Sequence, residues 1–249
     1  MTDWQVIYDE RTASDYAKFR RIHRELLAAL ISGSGMHAES KVLEQGCGTG
    51  NYISALHFLI GFSAWGVDSS SDMLSQAESQ TARVTWICAP AEKMCLTDAQ
   101  FEFVYCVDAI HHFRDRPSVF SETERLLTHG GIVCIATDSE ETIRDRKPLS
   151  VYWAETVELE LARYPRIEVL EAELSNCGFV ELHHQEVAAP SWLMDASAYR
   201  AKAFSCLRLL PEQTFERGLR HLEADLAKAP VRATSRYHLL WAAKPLLTR

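Results

Sequence analysis

Short β-rich runs recur along the chain at 41–44, 63–67, 84–88, 103–107, 132–137, 179–187 and 235–243. Stretches able to hold helices, including 73–81 and 119–127, separate the first five. Strand alternating with helix at this spacing builds a parallel sheet wrapped by helices, with ligands bound beyond the carboxyl ends of the strands. The expected fold is α/β: a seven-stranded, mostly parallel sheet with helices on both faces.

Before the sheet, Phe19, Ile22, Leu26, Leu27 and Leu30 recur at steps of three and four, the period of an amphipathic helix over 16–31, while Arg20, Arg21 and Arg24 occupy its other face. No repeat, low-complexity tract or Pro/Gly/Ser-rich linker divides the chain. It reads as one domain over 1–249, with an N-terminal helical cap (1–40), a ligand-binding core (41–138) and two long insertions (139–178 and 188–234). The insertions read as helical at 155–162, 166–176, 198–209 and 211–228, with enough apolar positions to pack as a lid on the sheet's rim. A lid implies a sequestered small ligand.

Of 249 residues, 34 are acidic and 26 basic, a formal charge of -8. That balance opposes a surface built to neutralise phosphates or anionic lipid, so neither nucleic acid nor a membrane is the expected partner. No run of about 18 apolar residues occurs, and Met1 to Gln5 carry no secretory segment, so a cytoplasmic protein is expected. Seven cysteines without a C-x-x-C pair indicate neither a disulfide framework nor a zinc clip; free, mostly buried thiols and no metal site are expected.

The most informative segment runs Val42-Leu43-Glu44-Gln45-Gly46-Cys47-Gly48-Thr49-Gly50, a strand ending in an acidic residue and entering three glycines at alternate positions. Such a loop lets a ligand approach the main chain with no Cβ in the way. A dinucleotide loop places its last glycine one residue later, where Asn51 stands, so the spacing disfavours NAD. Glu44 suits a ligand presenting an ammonium group, which points to a cofactor bearing an amino acid. The second strand ends Gly66-Val67-Asp68, and Asp68 either offers its oxygens to a ribose diol or caps the helix starting near Ser70.

Leu43 to Gly50, Gly66-Val67-Asp68, Ala91-Glu92, and 101–113 followed by 126–132 together resemble the class I S-adenosylmethionine-dependent methyltransferases, in the small-molecule branch with paired histidines after the fourth strand. The resemblance covers roughly residues 40–138. It implies a Rossmann-like sheet and S-adenosylmethionine as cofactor, with the main chain of Gly46 and Gly48 along the methionine moiety. It further implies Asp68 on the ribose hydroxyls, Met73 near adenine, Ala91 and Glu92 at the ring's edge, and Val107 beside the methionine portion. Tyr16 and Arg20 share a helix face, so Arg20 either meets the cofactor carboxylate or belongs to a solvated arginine face. Two positions depart from the pattern. Pro90 stands where the family often has an acid for the adenine amino group, and His129-Gly130-Gly131 replaces Pro-Gly-Gly.

Methyl transfer from a sulfonium is an in-line displacement, so alignment and exclusion of water dominate, and a base is needed only if the nucleophile arrives protonated. Asp108, His111 and His112 follow the fourth strand, where acceptor and cofactor should meet. His111 is the first candidate for that base and His112 the second, against a structural role as carbonyl partners. His183-His184, inside the sixth strand, reads as structural. Tyr8, Tyr152, Trp153, Trp192, Tyr199 and Arg208 are candidate linings for a small acceptor. The expected function is methyl transfer to an O, N or C nucleophile of a small molecule. A non-catalytic S-adenosylmethionine-binding module shares the same residues, and a nicotinamide-dependent oxidoreductase is the less favoured alternative.

Overall fold

In the computed structural model, which describes residues 18, 19 and 22–247, seven strands form one sheet. They are β1 (Lys41–Gln45), β2 (Ser63–Asp68), β3 (Val84–Cys88), β4 (Phe101–Val107), β5 (Leu127–Thr137), β6 (Val180–Leu193) and β7 (Val231–Ala243). Their order is β3-β2-β1-β4-β5-β7-β6. The pairs among β1 to β5 are parallel, while β7 runs antiparallel to both β5 and β6. The chain reverses its direction of winding at β1, between β2 and β4, which is where an open α/β sheet presents a crevice.

Central strands with both faces covered need apolar residues on successive positions, and β1 and β4 supply them. Val42, Phe103, Tyr105 and Trp241 face one side, against Leu26, Ala29 and Leu30 of α1 (Arg24–Ser34) and Ile53 and Leu56 of α2 (Asn51–Ile60). Phe103 stacks on Tyr105 and Trp241 with centroids at 5.2 and 6.0 Å. α1 ends at Gly35, whose φ of +64° an L side chain would resist. Leu43, Val104, Cys106 and Ile135 face the other side. α3 (Ser71–Gln80) starts at Ser70, whose hydroxyl accepts from Met73 N at 3.3 Å. α4 (Arg116–Leu126) starts at Asp115, which accepts from Ser118 N at 3.2 Å, with Pro117 in its first turn.

Between β5 and β6 come α5 (Glu140–Arg144), α6 (Leu149–Tyr152), α7 (Glu155–Arg163) and α8 (Ile167–Asn176). α8 corrects the expectation that all of 139–178 is lid. Leu170 and Leu174 pack in the second sheet core, and Glu173 takes a two-bond fork from Arg116 of α4 at 2.9 and 2.8 Å. α8 is thus a sheet-flanking helix. The second insertion carries α9 (Ser197–Arg200), α10 (Ser205–Arg208) and α11 (Glu212–Leu226). It too departs from 188–234: β6 and β7 continue pairing from Ala188↔Arg236 to Leu193↔Val231, beyond the reach of β5, as a two-stranded ribbon. The expected helix over 198–209 is broken after Arg200, where Lys202 takes φ +50°.

The two insertions share a core of their own. Trp153, fully buried, stacks between Tyr199 and Phe215 at 5.5 and 6.2 Å and donates its indole N–H to Phe215 O at 3.0 Å. Leu149, Leu207, Leu219 and Leu222 complete it. A Cβ on Gly218 would stand 2.2 Å from the Trp153 indole nitrogen, so α11 approaches the ring only because that position is glycine. Among the described residues all seven cysteines are free, with Cys47, Cys106, Cys134 and Cys206 buried. No helix of the described residues is long and apolar enough to cross a membrane.

Candidate active site

After β1 the chain turns over the carboxyl edge of the sheet. Cys47 N donates to Val67 O at 3.0 Å and Gly50 N to Cys47 O at 2.9 Å, after which α2 begins. Two glycines are sterically required. Gly46 has φ +64° and a Cβ there would lie 2.6 Å from that of Ala109; Gly50 has φ +73° and a Cβ there would lie 2.2 Å from the Trp86 indole. The loop therefore lies flat between the exit of β4 and a tryptophan on β3.

Gly48 N donates to Asp68 Oδ2 at 2.8 Å, and Ser70 N donates to Oδ1 at 2.9 Å. The cap of α3 is Ser70, and Asp68 instead joins the glycine loop to the start of that helix. Burial pushes the Asp68 carboxyl up, and the N–H groups of Ser70, Gly48 and Ser69 pull it back. A carboxylate accepts about four bonds, so Asp68 retains acceptor capacity, and it faces a cleft of about 590 Å³.

Gly46, Gly48, Asp68, Met73, Ala91, Glu92 and Val107 all line this one cleft, as do His111 and His112. Pro90 lines it as well, bringing no side-chain acceptor. Tyr16 and Arg20, and the acceptor candidate Tyr8, lie outside the described residues. Glu44 is the departure: it is 2% exposed and absent from the cleft wall. Its Oε2 accepts from Ile53 N at 2.9 Å and from the Tyr105 hydroxyl at 3.2 Å. It thus braces the first turn of α2 from below the loop. Burial pushes its pKa up to about 8; the bonds from Ile53 and Tyr105 oppose the rise and the charge of Asp68 adds to it.

At the exit of β4, Asp108 adopts φ +51° and its N–H donates to Ala136 O at 3.0 Å, turning the chain into the short 3-10 turn Ile110–His112. The turn sets both imidazoles on the cleft wall with centroids 4.0 Å apart. His112 is exposed to the cleft. Desolvation, helped by the Arg163 cation and opposed by Asp108, pushes its pKa down to about 4, so it is neutral at pH 7.

The facing wall comes from the insertions, and most of it went unread in the sequence. Arg146, Glu160, Tyr164, Phe204 and Ser205 line the cleft, together with the anticipated Arg208. Arg146 pairs with Asp138 at the end of β5 and donates to Glu160 Oε2 at 2.9 Å; Arg163 donates to Glu160 Oε1 at 2.7 Å and to Ser205 at 3.2 Å. Burial raises Asp138 to about 6 against the pull of Arg146. Tyr152, Trp153, Trp192 and Tyr199 do not line the cleft: Trp153 and Tyr199 fill the lid core and Trp192 is exposed. The only local signal for this wall was Glu160, Arg163 and Tyr164 within one turn of a helix. His183 stacks on Trp241 at 5.9 Å and His184 contacts Glu171 and His238 at 2.7 and 2.8 Å, all within the sheet and its flanking helix.

The family model for a methyltransferase domain matches residues 43–135, the segment that builds the loop, Asp68 and the histidine turn. A malonyl-[acyl-carrier protein] O-methyltransferase of Pseudescherichia vulneris is 28% identical over 127 residues, covering 51% of this chain and 50% of that protein. The chain thus spans about half the length of such curated relatives. A structure from Anabaena variabilis, ascribed to an antibiotic-biosynthesis pathway as a methyltransferase, superposes with TM-score 0.70 at 21% identity, covering 89% of this chain and 97% of that one. A phosphoethanolamine N-methyltransferase of Haemonchus contortus, in complex with S-adenosylhomocysteine, gives TM-score 0.62 at 20% identity over 96% of this chain and 58% of its own. With this sheet order and this match, residues 43–135 are similar to a methyltransferase domain, and the fold around them is shared with solved methyltransferases.

Proposed function

We propose that the chain transfers a methyl group from S-adenosylmethionine to a nucleophile of a small molecule held between the histidine turn and the lid. The observation that carries this reading is the shared cleft in which the side-chain-free loop at Gly46 and Gly48, the half-buried carboxylate of Asp68 and the imidazoles of His111 and His112 meet. The residues fit the cofactor: bare main chain for the methionine part, a carboxylate with acceptor capacity for a ribose diol, and Met73, Ala91 and Glu92 beyond it. When bound, S-adenosylmethionine supplies an electrophilic methyl on a sulfonium.

The rest falls to the protein. Asp68 and the loop orient, the lid residues Tyr164, Phe204 and Arg208 cover the cleft and exclude water, and His111 or His112 takes a proton if the acceptor arrives with one. Since His112 is neutral but a weak base, it suits only an acidic nucleophile, and His111 is the preferred base. An oxygen acceptor is favoured by the curated relative, an O-methyltransferase in name. The seven free thiols fit a reducing, cytoplasmic compartment.

The test is incubation with methyl-labelled S-adenosylmethionine and a metabolite fraction cleared of protein and nucleic acid. Label in a low-mass product is expected. Label transferred only to added protein or nucleic acid would overturn the small-molecule reading.

A further inference from the structure

We propose that Tyr164, at the end of α7, is a positioning residue that sets the plane of the His111 imidazole, so that the lid aligns the ring facing the acceptor. This rests on the reading of His111 as that ring.

His111 sits in a turn three residues long. The backbone bonds His112 N to Ala109 O (2.9 Å) and Phe113 N to Ile110 O (3.3 Å) fix its main chain and do not by themselves set its ring torsions. Two ring contacts add what the backbone does not. The Tyr164 ring stacks on the imidazole at 4.0 Å between centroids and 22° between planes, and His112 meets it at 4.0 Å and 45°. A stacked ring of this kind favours the rotamer that keeps the two faces together.

Tyr164 is itself held. Its N–H donates to Glu160 O at 2.8 Å, and the Arg146 guanidinium lies over the ring 6.0 Å from its centroid. Arg146 is fixed by Asp138, which directly follows β5, and by Glu160. The contacts close a circuit from the end of β5 through Arg146, Tyr164 and His111 to the end of β4. There Asp108 N bonds back to Ala136 O of β5. Only one link of this circuit belongs to the histidine's own loop.

The surroundings separate this role from wall filling. Tyr164 is 8% exposed yet belongs to none of the three apolar clusters of the described residues; its ring neighbours are an imidazole and a guanidinium. Burial, with the charge of Glu160, keeps its phenol protonated well above the ordinary range, so it is no competing base. The benzene face is the working part, and phenylalanine should replace it while leucine should not.

The experiment uses histidine labelled at Cε1 in the full chain, with His111→Gln assigning the His111 signal by its loss. Wild type, Tyr164→Phe and Tyr164→Leu are compared, each with and without S-adenosylhomocysteine, alongside calorimetric titration of that ligand. Stacking at 4.0 Å shifts the wild-type His111 ring proton upfield. Tyr164→Phe should keep the shift and Tyr164→Leu should lose it. The exposed His129, bonded to Pro245 O at 3.0 Å, should not move. A Tyr164→Leu protein with a lower Tm but the wild-type His111 resonance would show that Tyr164 only fills the wall and would overturn the proposal. So would loss of the shift in Tyr164→Phe. If the wild type does not bind S-adenosylhomocysteine, the cofactor reading fails, while the resonances still decide whether Tyr164 sets the ring.

Discussion

Replacing Glu44 by glutamine should remove a loss of stability that the wild type suffers as pH rises. The glutamine is isosteric and keeps an oxygen for Ile53 N and for the Tyr105 hydroxyl, so the bonds at 2.9 and 3.2 Å survive. What is lost is an ionisation. Burial raises the folded pKa from 4.5 to about 8, so between these values the folded protein binds more protons at this position than the unfolded chain. Stability then falls as pH rises through that window. At 1.36 kcal/mol per unit, the rise from 4.5 to about 8 corresponds to about 4–5 kcal/mol. Asp138 contributes in the same direction up to about pH 6, and His112, with its pKa lowered to about 4, contributes in the opposite one below pH 6.5. Both cancel in the difference between wild type and Glu44→Gln. Urea unfolding of the two proteins at pH 5, 6, 7 and 8 should therefore show the wild type losing ground steadily to the variant. Parallel curves, or a wild type that gains on the variant as pH rises, would mean that Glu44 is ionised against the first turn of α2, and the reasoning from burial would be refuted.

Further expectations concern binding, catalysis and the lid. Asp68→Ala should weaken S-adenosylhomocysteine binding by about 1.5–3 kcal/mol, roughly ten- to 150-fold, measured by calorimetry; unchanged affinity would remove Asp68 from the site. His111→Gln should slow methyl transfer while leaving cofactor affinity intact, and a fully active variant would reject the base role. Gly218→Ala places a Cβ 2.2 Å from the Trp153 nitrogen and should destabilise the lid core by about 1–3 kcal/mol, read as faster proteolysis within residues 196–226. Wild-type resistance in that variant would show that α11 can shift at no cost.

Local signals made most of the sheet and of the loop legible. β1 to β5 follow from short apolar runs, and the cradle follows from glycines at alternate positions, both features contained within a dozen residues. Glu44 escaped because its environment is set across the sheet: β1 pairs with β4 so that Glu44 lies opposite Tyr105, 61 residues away. The same holds for Arg146, whose partners, Asp138 after β5 and Glu160 on α7, are 8 and 14 residues distant. Lid aromatics were expected at the acceptor because aromatic rings line ligand pockets, but two insertions that stand off the sheet need a core, and Trp153, Tyr199 and Phe215 build it. The length of β6 was underestimated since its outer half, exposed at Pro190, Ser191 and Trp192, lacks the apolar run that marks a buried strand.

The most direct measurement is calorimetric titration of the purified protein with S-adenosylmethionine, S-adenosylhomocysteine and NAD, which needs no knowledge of the acceptor. Micromolar binding of both adenosyl ligands and none of NAD is the predicted result. Binding of NAD alone, or of none of the three, would contradict the assignment of the Gly46–Gly48 loop and Asp68 as the cofactor site.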